Sequence, residues 1–108
     1  MFERFTERVK ALLDVARKEA LKYGHNRIEP EHILLAMLDD NQGIGASILH
    51  QIGIDFAKLK QQIERSMKIG VSVYVGEIPL SPQSKRVLEL AVKEAQFYMH
   101  NYVGTEHI

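Results

Sequence analysis

Two glutamates stand in matching surroundings, Glu31 within Glu29-Pro-Glu-His-Ile33 and Glu106 within Gly104-Thr-Glu-His-Ile108, each where a helix should begin. A carboxylate in a first turn has a bland role, complementing the helix macrodipole for about 0.3–1 kcal/mol. It also has a sharper one. A helix start attracts anions through its free N–H groups while a carboxylate attracts cations, so the two side by side suit a ligand bearing both charges. Thr6 and Ser81, at the starts of two other predicted helices, add hydroxyls, and Arg4 or Arg8 adds a positive charge.

His25, His32, His100 and His107 resemble a metal set, but their spacing argues against one. Neither H-x-x-x-H nor H-E-x-x-H occurs, and the order Glu-then-His turns the carboxylate away from its neighbour. Histidines in such loops more often hydrogen-bond the backbone to fix a turn. No nucleophile elbow, phosphate-binding loop or G-x-G-x-x-G is present, and Gly43-Ile-Gly45 is too short to cradle a phosphate. With no nucleophile, base and orienting group together, a stand-alone enzyme is disfavoured.

What positions these residues is a repeat. Phe5–Ile33 pairs without a gap with Leu80–Ile108 at an offset of 75, and 12 of 29 positions are identical: Lys10/Lys85, Leu13/Leu88, Ala16/Ala91, Lys18/Lys93, Glu19/Glu94, Ala20/Ala95, Tyr23/Tyr98, His25/His100, Asn26/Asn101, Glu31/Glu106, His32/His107 and Ile33/Ile108. So long a period excludes a solenoid and predicts two copies of one multi-helix module.

Within the first copy, helix one is predicted over Glu7–Tyr23, capped by Thr6 and ended by Gly24, with Val9, Leu12, Leu13, Ala16, Ala20 and Tyr23 on one face. Pro30 fits the first turn of a second helix reaching Leu38, apolar nearly all round and therefore central to the core. After a turn at 39–43, a short third helix carries Ile44, Ile48, Leu49 and Ile52 on its inner side and stops at Gly53; Asp55 caps a fourth with Phe56, Leu59, Ile63 and Met67 inward. Val71, Val73 and Val75 alternate as in a strand, but no second run exists to pair with them, so an extended linker is expected. Ser81-Pro82 opens a fifth helix to Tyr98, and Thr105 reads as the N-cap of a sixth.

The predicted fold is all-α: a single domain, 1–108, built as a duplicated four-helix repeat, with repeat one at about 5–68, the linker at 69–80 and an incomplete repeat two at 81–108. By the offset, a full second copy would end near residue 143, so self-association, or loose order after about residue 70, is expected from uncovered apolar surface. Fourteen basic against fourteen acidic residues, with no basic cluster, argues against nucleic acid and anionic membrane as partners. Cysteine is absent and no apolar run approaches the length of a membrane span, which fits a cytoplasmic location.

Phe5-Thr-Glu-Arg, Glu19-Ala20, Tyr23-Gly-His-Asn, Glu31-His-Ile-Leu-Leu, Gly43-Ile-Gly-Ala, Leu49, Gly53 and Tyr102-Val-Gly-Thr-Glu-His-Ile together resemble the N-terminal domain of Clp/Hsp100 unfoldases, most closely the ClpC type, in one register from Met1 to Ile108. The resemblance implies two pseudo-symmetric four-helix repeats mounted on AAA+ modules that use ATP and magnesium, with no cofactor in this domain. It implies binding of substrate proteins and MecA-like adaptors, and delivery through a hexamer to the ClpP peptidase. It also implies recognition of phosphoarginine, with Glu31 and Glu106 on the guanidinium and Thr6, Ser81 and Thr105 near the phosphate. An alternative is an adaptor- or peptide-binding module with no phosphorylated ligand. The first copy departs from the pattern. Pro30 removes a hydroxyl and an N–H, and Glu29 adds a charge that repels phosphate.

Overall fold

A computed structural model describes residues 4–40, 43–70 and 77–108, which form α1 (Glu7–Lys22), α2 (Pro30–Asp39), α3 (Ile44–Gln51), α4 (Phe56–Ser66), α5 (Pro82–Phe97) and a short 3₁₀ turn, Thr105–His107. The alternating valines of the linker and part of the turn after α2 lie outside the described residues. The expected all-α class holds, and no helix of the described residues is long and apolar enough to cross a membrane.

Local chemistry sets the helix limits. The hydroxyl of Thr6 accepts from Val9 N at 3.2 Å and that of Ser81 from Ser84 N at 3.0 Å, while the Asp55 carboxylate accepts from Lys58 N at 3.2 Å. Each satisfies an N–H that the first turn would otherwise leave unpaired. Pro30 and Pro82 both occupy first-turn positions. Gly24 stops α1 in the left-handed region, with φ 72°, which a side chain would disfavour.

Packing follows the apolar faces. Val9, Leu12, Ala16 and Ala20 of α1 are buried, and the two alanines let α2 approach closely through Ile33, Ala36 and Met37. On the other flank, Phe5 and Val9 meet Leu88, Ala91 and Ala95 of α5 together with Val103. Leu13, Leu80 and Ile108 touch both groups, so the two sets form one core. α4 covers the far side of α2 through Ile63, against Leu35 and Leu38.

Two backbone clasps tie the ends together. Phe5 bridges Val103 and Ile28 bridges Leu80, both parallel. Thr6 N donates to Val103 O and Ser81 N to Ile28 O, each at 3.0 Å; Val103 N donates to Arg4 O at 2.8 Å and Ile28 N to Pro79 O at 2.9 Å. Every bond in one clasp has its counterpart 75 residues away in the other. Each start-of-helix segment thus pairs with the loop preceding the opposite glutamate.

One expectation is corrected. Thr105 does not cap its own helix, because the cap position is Gly104 and the Thr105 hydroxyl instead accepts from Gly45 N, 60 residues away, at 2.9 Å. α3, whose own cap position is Gly43, is therefore capped from outside. The inward face expected of α3 is also corrected: Gly45 and Ala46 are its buried residues and Leu49 packs on the core, whereas Ile44, Ile48 and Ile52 are exposed, because the helix approaches Thr105 through its small residues.

Leu88 is fully buried between Phe5, Val9 and Val103, whereas Leu90, two residues on, is 44% exposed. Leu88→Ala should lower the unfolding free energy by about 2–5 kcal/mol and Leu90→Ala by less than about 1 kcal/mol, read from urea denaturation of this chain. Equal effects would mean that α5 does not pack by this face.

Candidate functional site

The clasps bring sequence-distant groups into two clefts. One, of about 300 Å³, is lined by Thr6, Arg8, Ile44, Tyr102, Gly104, Thr105 and Glu106. The other, of about 480 Å³, is lined by Glu29, Glu31, His25, His32 and the stretch from Ser66, the last residue of α4, to Gly70.

In the first, Glu106 is held from one side by Tyr102, whose hydroxyl donates to Oε2 at 3.2 Å. That bond, and the carboxylate charge behind it, push the Tyr102 phenol above its ordinary pKa. Gly104 makes room for the carboxylate, which lies where a side chain at 104 would stand. Arg8 lines the same cleft, and its guanidinium pairs with the Asp40 carboxylate at 3.2 Å. The lining of this cleft thus includes both a carboxylate and a cationic residue.

The second cleft is built from equivalent positions but different charges. Glu29 stands where the other copy has Gly104, Pro30 where it has Thr105, and Arg27 where it has Tyr102. Arg27 and Glu29 approach at 3.8 Å, and Glu31 is exposed.

The structure gathers Glu106, Thr6 and Thr105 in one place but distributes the remaining predicted residues. Ser81 is fully buried, its hydroxyl engaged with Ser84, so it caps α5 and offers nothing to a ligand. Thr105 is 3% exposed, and its hydroxyl is spent on Gly45. Arg4 is exposed and contributes its carbonyl to a clasp, but it lines neither cleft. Tyr102 was not singled out from the sequence. Its place four residues before Glu106 was the available signal.

The histidines form two relays. Glu29 N–H can only donate, so His32 Nδ1, at 2.8 Å, is an acceptor; His32 then carries its proton on Nε2 and donates it to His25 Nδ1 at 2.7 Å, and His25 Nε2–H donates to Lys68 O. The second copy repeats this with Gly104 N to His107 Nδ1 at 2.9 Å and His107 Nε2 to His100 Nδ1 at 2.8 Å. His25, His32 and His107 therefore spend both ring nitrogens inside the protein. The turn-fixing role expected of these histidines holds, but the His-to-His bond at a seven-residue spacing was not foreseen.

The chain matches the profile of the family described as the Clp repeat (R) N-terminal domain over residues 4–108. It is 42% identical over 109 residues to a probable ATP-dependent Clp protease ATP-binding subunit of Chlamydia pneumoniae, covering 100% of this chain and 13% of that one. It is 40% identical over 108 residues to the chloroplastic chaperone protein ClpC1 of Arabidopsis thaliana, covering 100% of this chain and 12% of the relative. The chain therefore spans about an eighth of the length of these relatives. Among solved structures, the N-terminal domain of the ClpD chaperone from Arabidopsis thaliana superposes with a TM-score of 0.71 at 27% identity, covering 99% of this chain and 73% of that one. A ClpV N-domain in complex with a VipB peptide has the same fold, with a TM-score of 0.81 at 19% identity over 96% of this chain and 64% of that one.

Burial holds the His32 pKa down, from 6.5 to about 4, with the neighbouring His25 adding to the depression and Glu29 opposing it. Above pH 6.5 the folded and unfolded chains hold the same neutral ring. As pH falls from 6.5 towards 4 the unfolded chain takes up a proton that the folded one refuses, so stability declines across that window. Its contribution is about 2–3 kcal/mol. Urea midpoints measured from pH 7.5 to 4.5 should fall in this chain and fall less in His32→Asn, which offers a non-titrating acceptor to Glu29 N.

Proposed function

This chain belongs to the Clp repeat (R) N-terminal domain family, and on that premise we propose that it is the recognition module of an ATP-dependent Clp unfoldase, binding proteins marked by phosphoarginine. The observation that carries this reading is the Glu106 cleft, whose lining brings a positioned carboxylate together with Arg8 and Thr6. A guanidinium on the ligand pairs with Glu106 and its phosphate turns toward Arg8 and Thr6. Charge-assisted bonds of this kind contribute about 1.5–3 kcal/mol each. Arginine alone lacks the second charge and phosphate alone lacks the first.

The Glu31 cleft favours a second ligand. Pro30 has no N–H, and Glu29 adds a negative charge beside Glu31, so phosphate is repelled while an unmodified cationic side chain is accepted. In this reading one cleft takes the marked arginine and the other an unphosphorylated peptide or a MecA-like adaptor. The module performs no chemistry of its own. ATP with magnesium acts in AAA+ modules elsewhere in a longer cytoplasmic protein, which passes the captured chain to a ClpP-type peptidase.

Calorimetric titration with phosphoarginine, arginine and inorganic phosphate tests this. Phosphoarginine should saturate the chain at concentrations where the other two do not. Glu106→Gln should weaken it about tenfold or more, and Glu31→Gln less than about threefold. Equal losses from the two variants would contradict the division of labour, and no saturable binding by phosphoarginine would remove the phosphorylated ligand.

A further inference from the structure

The stretch Met67–Gly70, which follows α4, runs along the Glu31 cleft and is fastened there through its backbone. Gly70 N donates to Tyr23 O at 2.8 Å, and the Lys68 carbonyl accepts from His25 Nε2–H. Gly24 and Gly70 also lie backbone to backbone, each in the space that a Cβ on the other would take, so neither admits a side chain. Lys68 and Ile69 are exposed, and their side chains anchor little of the stretch.

The bond from His25 is the last of three in series whose polarity is fully determined. Glu29 N–H at one end can only donate and Lys68 O at the other can only accept, so His32 and His25 must each carry one proton, both on Nε2. A proton added to His25 Nδ1 would confront His32 Nε2–H across 2.7 Å, and one added to His32 Nδ1 would confront Glu29 N–H across 2.8 Å. Either breaks the series. The hold on Lys68 therefore requires two neutral rings at once.

Among the described residues, charged and titratable groups face these rings from three elements. Tyr23, at the end of α1, stacks on His25 at 6.2 Å, with the Lys22 ammonium 5.7 Å from the Tyr23 ring centre. Glu29 and Glu31 stand at the start of α2, with Arg27 3.8 Å from Glu29, and Lys68 lies on the stretch itself. At His32, burial outweighs the Glu29 carboxylate and lowers the pKa from 6.5 to about 4. A ring released from the series takes up its proton at about 6.5. The docked arrangement refuses a proton that the released one accepts, so acid favours release.

We propose that Met67–Gly70 is a proton-operated strap: with His25 and His32 both neutral it completes the wall of the Glu31 cleft, and protonation of the relay undocks it. A protonated relay also places positive charge beside Glu29 and Glu31, so both effects weaken the hold on a cationic ligand. The ligand's part in this rests on the reading that the Glu31 cleft takes an unmodified cationic side chain; the strap itself does not.

Hydrogen exchange of this chain tests it, with the Gly70 amide compared with that of Ala16 in the core of α1 and both corrected for intrinsic rates. Between pH 7.5 and 5.5 the protection of Gly70 should fall about tenfold relative to Ala16, the linkage of one proton taken up at about 6.5 in the released form. His25→Gln with His32→Asn supplies amides that donate and accept without titrating, and its ratio should stay within about twofold. Gly70→Ala cannot dock, so residue 70 should be unprotected at both pH values while Ala16 stays protected, which separates undocking from unfolding. His100→Gln, in the other relay, should leave the Gly70 profile unchanged. Saturating N-acetyl-arginine amide should restore Gly70 protection at pH 5.5. A flat profile in the unaltered chain, or the same fall in the double variant, overturns the strap; the unaltered chain decides even if the double variant fails to fold. A pH-dependent strap that the arginine probe does not protect keeps the strap and overturns the cationic ligand. A flat profile raised by the probe does the reverse.

Discussion

The reciprocal clasp, Phe5 with Val103 and Ile28 with Leu80, is the constraint on which the rest of the molecule depends. Four backbone hydrogen bonds of 2.8–3.0 Å join segments about 50 and 100 residues apart, and each bond fixes where a helix enters the core. Closing such long loops costs conformational entropy that only buried apolar area can offset, and Phe5, Ile28 and Val103 supply it at the junctions themselves. Because the pairing crosses from one end of the chain to the other, the Glu106 cleft is walled by residues near both ends. It can exist only in the fully assembled fold.

Matched bonding around the two glutamates makes their differences legible. The relays, the caps and the clasps agree to within about 0.2 Å, so the two environments are one backbone solution carrying two sets of side chains. Glycine at 104 admits the carboxylate of Glu106 where Glu29 would crowd it, and tyrosine at 102 orients that carboxylate where Arg27 would neutralise it. The two clefts differ in charge and bulk on a shared frame.

Most of the fold was legible in the sequence because helix limits are set locally. Thr6, Asp55 and Ser81 announce caps, Pro30 and Pro82 first turns, and Gly24 a stop, and each signal lies within a few residues of the boundary that it sets. The candidate site was legible only in part. Glu106, Thr6 and Thr105 line one cleft, as their types and positions suggest, but a hydroxyl near a helix start says nothing about which N–H it will satisfy. Burial decided the matter: Ser81 is consumed by α5 and Thr105 by a helix 60 residues earlier. The relays escaped notice for a similar reason, since a seven-residue separation means contact only when a loop folds back onto the helix that follows it.

The borrowed cap on α3 has a consequence for biosynthesis. An eight-residue helix that begins at a glycine is marginal by itself, and its missing hydrogen bond comes from Thr105. While the polypeptide is still emerging from a ribosome, α1, α2 and α4 have their own starting signals, but α3 lacks its partner until nearly the whole of this stretch has been made. The N-terminal half is therefore completed last by a residue synthesised long after it, and a nascent chain halted before position 105 would expose α3 to whatever chaperone or protease is nearby.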